Sequence, residues 1–389
     1  MKKKCLYLLV PALWLALSAA LWFGPRQEIS QWERRKLQQF PQANAAALLS
    51  GRFMSQFESF CQDQFPLREP FRRLKAVFGY NLVHRLDNNG IYLAQGSAAK
   101  LDYPLNTASV EKAVEKFQAI YDRLQGSTGK ILFSVVPDKG YYLAEANGYP
   151  AMDYAAMFEA FQAIPWATYV DLTPALDKTC YYRTDLHWKQ ECLLDAAALL
   201  AQALEVEMET DYVPTKLERP FYGVYYGQAA LPMGPDALWI LESDTLRACR
   251  VHNFETSEDS PVYNLEKSTG RDMYDVFLSG PVSVLTVENP AADTQRELIL
   301  FRDSFASSLA PLLLPGYAKI TLVDIRYIPA DNLEKYVSFE NQDVLFLYST
   351  LVLNQSTQTP QKGFPSAVSF SIFPVPPLPL WRSSAGSRR

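Results

Sequence analysis

The sequence predicts an α/β fold with a mainly parallel sheet and helices on both faces, preceded by a transmembrane helix and a helical stalk. Two observations carry the sheet. From about residue 108 short apolar runs alternate with amphipathic stretches, and strands alternating with helices imply βαβ units. The runs lie at 131–136, 169–172, 297–301, 319–325 and 343–348, with helical patterns at 108–125, 188–205, 305–314 and 330–338. A third observation concerns the start: Lys2, Lys3 and Lys4 precede an uncharged apolar stretch from Cys5 to Phe23. That is about the ~20 residues a helix needs to cross a bilayer.

Taking the elements in order, residues 1–25 predict a signal-anchor whose basic end stays in the cytoplasm, placing everything after Arg26 outside. A cleaved signal peptide is the alternative, with Ser18, Ala19 and Ala20 imitating a cleavage site. Residues 26–107 predict a helical stalk and a hairpin: Phe53, Phe57 and Phe60 form a helical stripe, Pro66 breaks it, and Asn89-Gly90 supplies the hairpin turn. Residues 108–355 form the α/β domain, interrupted by an irregular insertion at 206–290 where Gly223, Gly227, Gly234, Pro232 and Pro235 cluster among aromatics. Residues 356–389 turn to Pro, Ser and a basic end, and read as a disordered tail.

With 48% hydrophobic residues among 389, the chain has ample material for a core. Its net charge of -5 leaves no basic surplus to neutralise phosphates, which argues against nucleic-acid binding. Cys61, Cys180, Cys192 and Cys249 show no CxxC or Cys/His ligand spacing, so no metal site is predicted. A disulfide is permitted in an exported chain, but spacing does not give a connectivity.

Two motifs carry chemistry. The first is Tyr181 to Gln190, YYRTDLHWKQ, which holds one of only three histidines two residues after an acid. Asp185 there can orient the His187 imidazole and steady its cation; the bland alternative is that Thr184 or Asp185 caps a helix starting near Trp188. The second is ELILFRDSFASSLAPLLL, read as a buried strand, an abrupt turn at Arg302, Asp303 and Ser304, and an apolar helix. A hydroxyl so placed is presented at a helix start, where backbone amides can stabilise an oxyanion; here too a simple cap is the alternative. Together the motifs supply the nucleophile, base and orienting acid of acyl transfer: Ser304, His187 and Asp185.

Lys139 ends the VVPDK strand and is a candidate substrate contact, with a solvated turn lysine as the alternative. Arg302 is a candidate near the oxyanion. Arg326 and Tyr327 follow another strand and are expected to line the cleft or to form a buried ion pair with Asp324 or Asp303. Tyr181, Tyr182 and Trp188 offer rings for stacking on sugars, or belong to the core. His84 and His252 read as bystanders.

The chain resembles the DHHW family of exported bacterial proteins, relatives of the alginate O-acetyltransferases within the SGNH hydrolase-like group. The resemblance rests on SQWERRKL (Ser30–Leu37), DQFPLR (Asp63–Arg68), NGIYL (Asn89–Leu93), VVPDK (Val135–Lys139), YYRTDLHW, the FYGVYY region, RDSFASSLAPLL and LVDIRYI (Leu322–Ile328). It implies an SGNH hydrolase-like fold and O-acetyl transfer or ester hydrolysis on a cell-envelope polysaccharide, through Asp185, His187 and Ser304. It further implies a membrane-bound O-acyltransferase partner as acetyl donor, with no cofactor of its own. Leu186 stands where the family name has a first histidine, and Arg302 stands where ordinary SGNH enzymes have glycine, leaving the second oxyanion donor open. The competing expectation is a non-catalytic glycan-binding or cell-wall scaffold protein.

Overall fold

The computed structural model describes residues 2–124, 128–328 and 330–355. The expected tail, 356–389, lies outside the described residues. The centre is an eight-stranded sheet. Numbering its strands alone in chain order, they are β1 (Thr128–Val136), β2 (Thr168–Tyr169), β3 (Arg250–Asn253), β4 (Glu258–Ser260), β5 (Val284–Glu288), β6 (Glu297–Arg302), β7 (Lys319–Val323) and β8 (Gln342–Ser349). The order across the sheet is β4-β3-β5-β7-β6-β8-β1-β2. From β7 to β2 every pairing is parallel; β5, β3 and β4 extend the sheet antiparallel.

The parallel strands are continuously apolar because both faces are covered. Along β8 all residues are buried and alternate sides: Leu345 and Leu347 enter one core with the helices Leu194–Leu204 and Ala306–Leu313. Val344 and Phe346 enter the other with the helices Thr107–Leu124 and Tyr154–Gln162. Phe301, Phe346 and Phe133, one from each of β6, β8 and β1, stack across that second face with centroids 4.8 and 5.7 Å apart.

Several expectations need correction. The insertion 206–290 is not irregular throughout: it supplies β3, β4 and β5, plus a hairpin of Val213–Lys216 with Trp239–Glu242. These strands are three to five residues long, too short for alternation to show. The pattern at 330–338 is a 3₁₀ helix, Ala330–Lys335. Asn89-Gly90 does turn sharply, both at positive φ, but the hairpin proper pairs Ile91–Ala94 with Ser97–Lys100 through a second such turn at Gln95-Gly96.

The expected anchor segment is helical. A helix forms at Lys2–Phe23, but among the described residues no helix is long and apolar enough to cross a membrane. Trp22, near the end of the Lys2–Phe23 helix, lies 6.1 and 6.2 Å from the rings of Phe40 and Phe57.

The segment after it holds the expected helices, Arg52–Asp63 and Arg68–Asn81, but it does not stand free as a stalk. Arg72 donates to the Gly227 carbonyl at 2.9 Å, and Asn88 to the Ala229 carbonyl at 2.7 Å. Gly227 has no room for a side chain, since a Cβ there would sit 1.7 Å from the Trp32 carbonyl oxygen.

Candidate active site

Ser304 leaves the sheet at the end of β6. The Asp303 amide still reaches the Leu347 carbonyl of β8, at 3.4 Å. Its carboxylate accepts from the Ser349 amide (2.8 Å), the Ser349 hydroxyl (2.7 Å) and the Phe305 amide (3.0 Å). These bonds pin the turn to the neighbouring strand, and the helix Ala306–Leu313 begins two residues after Ser304. Ser304 is partly exposed between buried Asp303 and buried Phe305.

Asp185 and His187 ride on a closed loop rather than a helix start, which corrects the expected helix from Trp188. Tyr181 and Trp188 form an antiparallel bridge, the Tyr182 amide donates to the His187 carbonyl (3.1 Å), and the helix begins only at Leu194. The backbone groups needed for a first helical turn are spent across the loop. The loop brings the His187 Nε2 to 2.8 Å from the Ser304 Oγ and its Nδ1 to 2.6 Å from the Asp185 Oδ1. An ionised carboxylate only accepts, so Nδ1 carries the proton and Nε2 is left to accept from the Ser304 hydroxyl.

Asp185 is fully buried, which alone would raise its pKa, yet the His187 ring, Arg34 and the Val224 amide hold it well below the usual carboxylate range. Its Oδ1 also accepts from the His187 amide (3.0 Å), and its Oδ2 from the Val224 amide (2.8 Å). Arg34 stands 3.8 Å from that Oδ2, forms an ion pair with Asp272 and donates to the Tyr222 carbonyl. Gly223 permits the approach of this segment: a Cβ there would fall 2.2 Å from the Asp185 Cβ.

Other long-range contacts fix the loop. The Asp236 carboxylate accepts from the Thr184 amide (2.8 Å), the Thr184 hydroxyl (2.6 Å) and the Arg183 amide (3.0 Å). The Tyr274 ring lies flat on the imidazole, 3.8 Å between centroids and 4° between planes, and its hydroxyl bonds with that of Ser308. Arg34, Gly223, Asp236 and Tyr274 have no local sequence signal; only SQWERRKL and FYGVYY marked two of their neighbourhoods.

The remaining candidates are near the relay but buried. Lys139 is no open substrate contact: it is 2% exposed and donates to the Tyr182 carbonyl (2.9 Å) and Arg183 carbonyl (3.4 Å) from behind the loop. Burial depresses its pKa to about 7. Tyr182 packs in the core against Phe221, and Tyr181 donates to the Pro137 carbonyl. Trp188 donates its indole N–H to the Phe305 carbonyl and so braces the serine turn. Burial of Tyr181, Tyr182 and Trp188 removes them as sugar-stacking surfaces. Arg302 is wholly buried, donating to the Ser307 hydroxyl with Nε and Nη2 unpaired. Arg326 forms the alternative buried pair with Asp324, and its guanidinium lies 5.5 Å from the ring of partly buried Tyr327. His252 does have an acid partner, Asp259 at 2.7 Å, on the exposed hairpin β3–β4; His84 is in an exposed loop.

Beside Arg34 and Gly223 lies a cavity of about 320 Å³, lined by Trp32, Phe221, Tyr222, Tyr226, Arg219 and Arg271 among others. Among the described residues no group of three or more His, Cys, Asp or Glu side chains could hold a metal ion.

Residues 94–224 match the family described as SGNH hydrolase-like domain, acetyltransferase AlgX. Among solved structures, a DHHW family protein from Eubacterium siraeum is similar at 21% identity and TM-score 0.55, covering 69% of this chain and 94% of that one. Bacillus cereus PatB1 is similar at 14% identity and TM-score 0.55, covering 68% and 96%. PatB1 with a sulfonyl adduct is similar at 14% identity and TM-score 0.52, covering 68% and 95%. These likenesses show a shared fold. No curated protein matches the chain.

Proposed function

We propose that this protein is an O-acetyltransferase or acetylesterase acting outside the cytoplasm on a cell-envelope polysaccharide, with Ser304, His187 and Asp185 as its triad. One observation carries the reading: a partly exposed serine hydroxyl in line with an imidazole and a buried carboxylate, at 2.8 and 2.6 Å. The Ser304 Oγ adds to the acyl carbon while its proton passes to the His187 Nε2; collapse of the adduct expels the donor alcohol, which takes that proton back. A water or sugar hydroxyl then gives its proton to His187 as its oxygen adds to the acyl carbon, and His187 passes that proton to the Ser304 Oγ as the Ser304–acyl bond breaks. Asp185 keeps the ring oriented and steadies its cation.

The Phe305 and Ala306 amides are engaged by the Asp303 carboxylate and carbonyl, so the Ser304 amide is the proposed first oxyanion donor, aided by the helix start. Trp32, Tyr222 and Tyr226 line the adjoining cavity and take over the sugar-stacking role first expected of Tyr182 and Trp188. The acetyltransferase named in the family description supports the acyl-transfer assignment. The basic-then-apolar start supports export, where a membrane-bound O-acyltransferase would supply acetyl groups.

The test is turnover of a chromogenic acetyl ester. Wild type is expected to hydrolyse it and Ser304→Ala to lose about 10³-fold or more with the fold intact. Equal inertness of both, with glycan binding retained, would instead favour a binding module.

A further inference from the structure

The loop carrying Asp185 and His187 is bounded by two cysteines, Cys180 and Cys192. Backbone bonds draw its ends together. The Cys180 carbonyl accepts from the Lys189 amide at 2.7 Å, and the Lys189 carbonyl accepts from the Cys192 amide at 3.0 Å. The Tyr181–Trp188 bridge closes the loop just inside. Cys180 is buried in one apolar cluster and Cys192 packs against it, and both thiols are free in this structure. Cys61 instead lies on the helix Arg52–Asp63; Cys249 belongs to the same cluster but is wholly buried next to β3, outside the loop.

The geometry points to Cys180 and Cys192 as a disulfide-forming pair that clasps the base of the Asp185–His187 loop when the protein meets an external disulfide. The Cys180 thiolate attacks one sulfur of that disulfide and releases a thiolate; Cys192, losing its proton, then attacks the Cys180 sulfur and releases the second. Two protein thiols are oxidised, and one external disulfide is reduced to two thiols. The chemistry is asymmetric in the useful sense. The neighbouring Cys192 thiol brings Cys180 down to about 7, whereas burial raises Cys61, and pushes Cys249 up to about 11.

The relay is already assembled with both thiols free. The cross-link therefore restricts opening of the loop rather than building the site. Its formation in the cell rests on the proposed location outside the cytoplasm; the pairing itself does not.

The experiment incubates the purified chain with oxidised glutathione, denatures it in iodoacetamide and maps peptides by mass without reduction. The expected result is a Cys180–Cys192 linked peptide with Cys61 and Cys249 alkylated. Reductant should then lower Tm by roughly 3–6 °C in the wild type and not in Cys180→Ser/Cys192→Ser, with ester turnover at 25 °C changing less than twofold. Alkylation of both cysteines, or pairing with Cys61 or Cys249, overturns the proposal; a linked peptide without a reductant-dependent Tm shift overturns the clasp. Peptide mapping needs no activity, so its failure is distinct from a failure of the Ser304 assignment.

Discussion

The two halves of the relay are held in opposite ways. Ser304 is positioned by the sheet itself, through Asp303 and its bonds to Ser349 of the adjacent strand. The Asp185–His187 loop lies outside the central sheet and is held by Arg34, Lys139, Val224, Asp236 and Tyr274, from five separate segments. The nucleophile is thus a product of the core fold, while the base and its orienting acid depend on additions to it. Damage near Ser304 should cost stability and activity together, whereas damage near Asp185 should separate them.

The largest separation is expected for Asp185→Asn. Its amide cannot hold the imidazole in the required tautomer, so kcat should fall on the order of 10³–10⁴-fold, while the thermal midpoint moves by only a few degrees. Next comes Gly223→Ala, whose new methyl would press on the Asp185 side chain. Displacing that carboxylate should lower kcat about 10–100-fold and cost about 1–3 kcal/mol in denaturant titration.

A paired comparison sharpens the contrast. Asp303→Ala strips bonds from Ser349 and Phe305, and Asp236→Ala strips bonds from Arg183 and Thr184; each unpaired set costs about 2–4 kcal/mol if it stays buried. The loop can swing its amides to water without opening the sheet. Asp236→Ala should therefore lose the smaller part of that stability yet still lower kcat about tenfold, and the reverse ranking in stability would break the comparison.

The smallest effect concerns pH. Burial and then the neighbouring Asp272 raise the Asp275 carboxyl to about 7. Because the folded pKa exceeds the unfolded one, the folded state binds more protons between about pH 4 and 7. The stabilisation is full below about pH 4 and is lost as pH rises through 7. Asp275→Asn should flatten this slope, gaining stability relative to wild type at pH 8 over pH 5. Loss of activity at acid pH is not expected to come from Asp185, whose carboxyl is held well below the usual carboxylate range.

The parallel strands were legible because burial on both faces leaves unbroken apolar runs, as in β8, where the whole strand is buried. Asp185, His187 and Ser304 were legible because histidine is rare in this chain and the strand–turn–helix pattern around Ser304 is local. Burial of a polar side chain is not local. Lys139 was read as a substrate contact or a solvated turn lysine but is buried, since its partners are carbonyls supplied by the folded chain, whereas Arg326 forms the buried pair with Asp324 that was its alternative reading. The roles of Arg34, Gly223, Asp236 and Tyr274 were not legible for a related reason: each acts across tens to hundreds of residues on one atom group, and no periodicity marks such a contact.

The most direct test of the central claim is to treat the protein with phenylmethanesulfonyl fluoride and locate the adduct by peptide mass. The account predicts a single sulfonyl group on the Ser304 peptide, with the labelling rate reduced at least a hundredfold in His187→Ala. Labelling at another residue, or labelling of Ser304 at an unchanged rate without the imidazole, would contradict it.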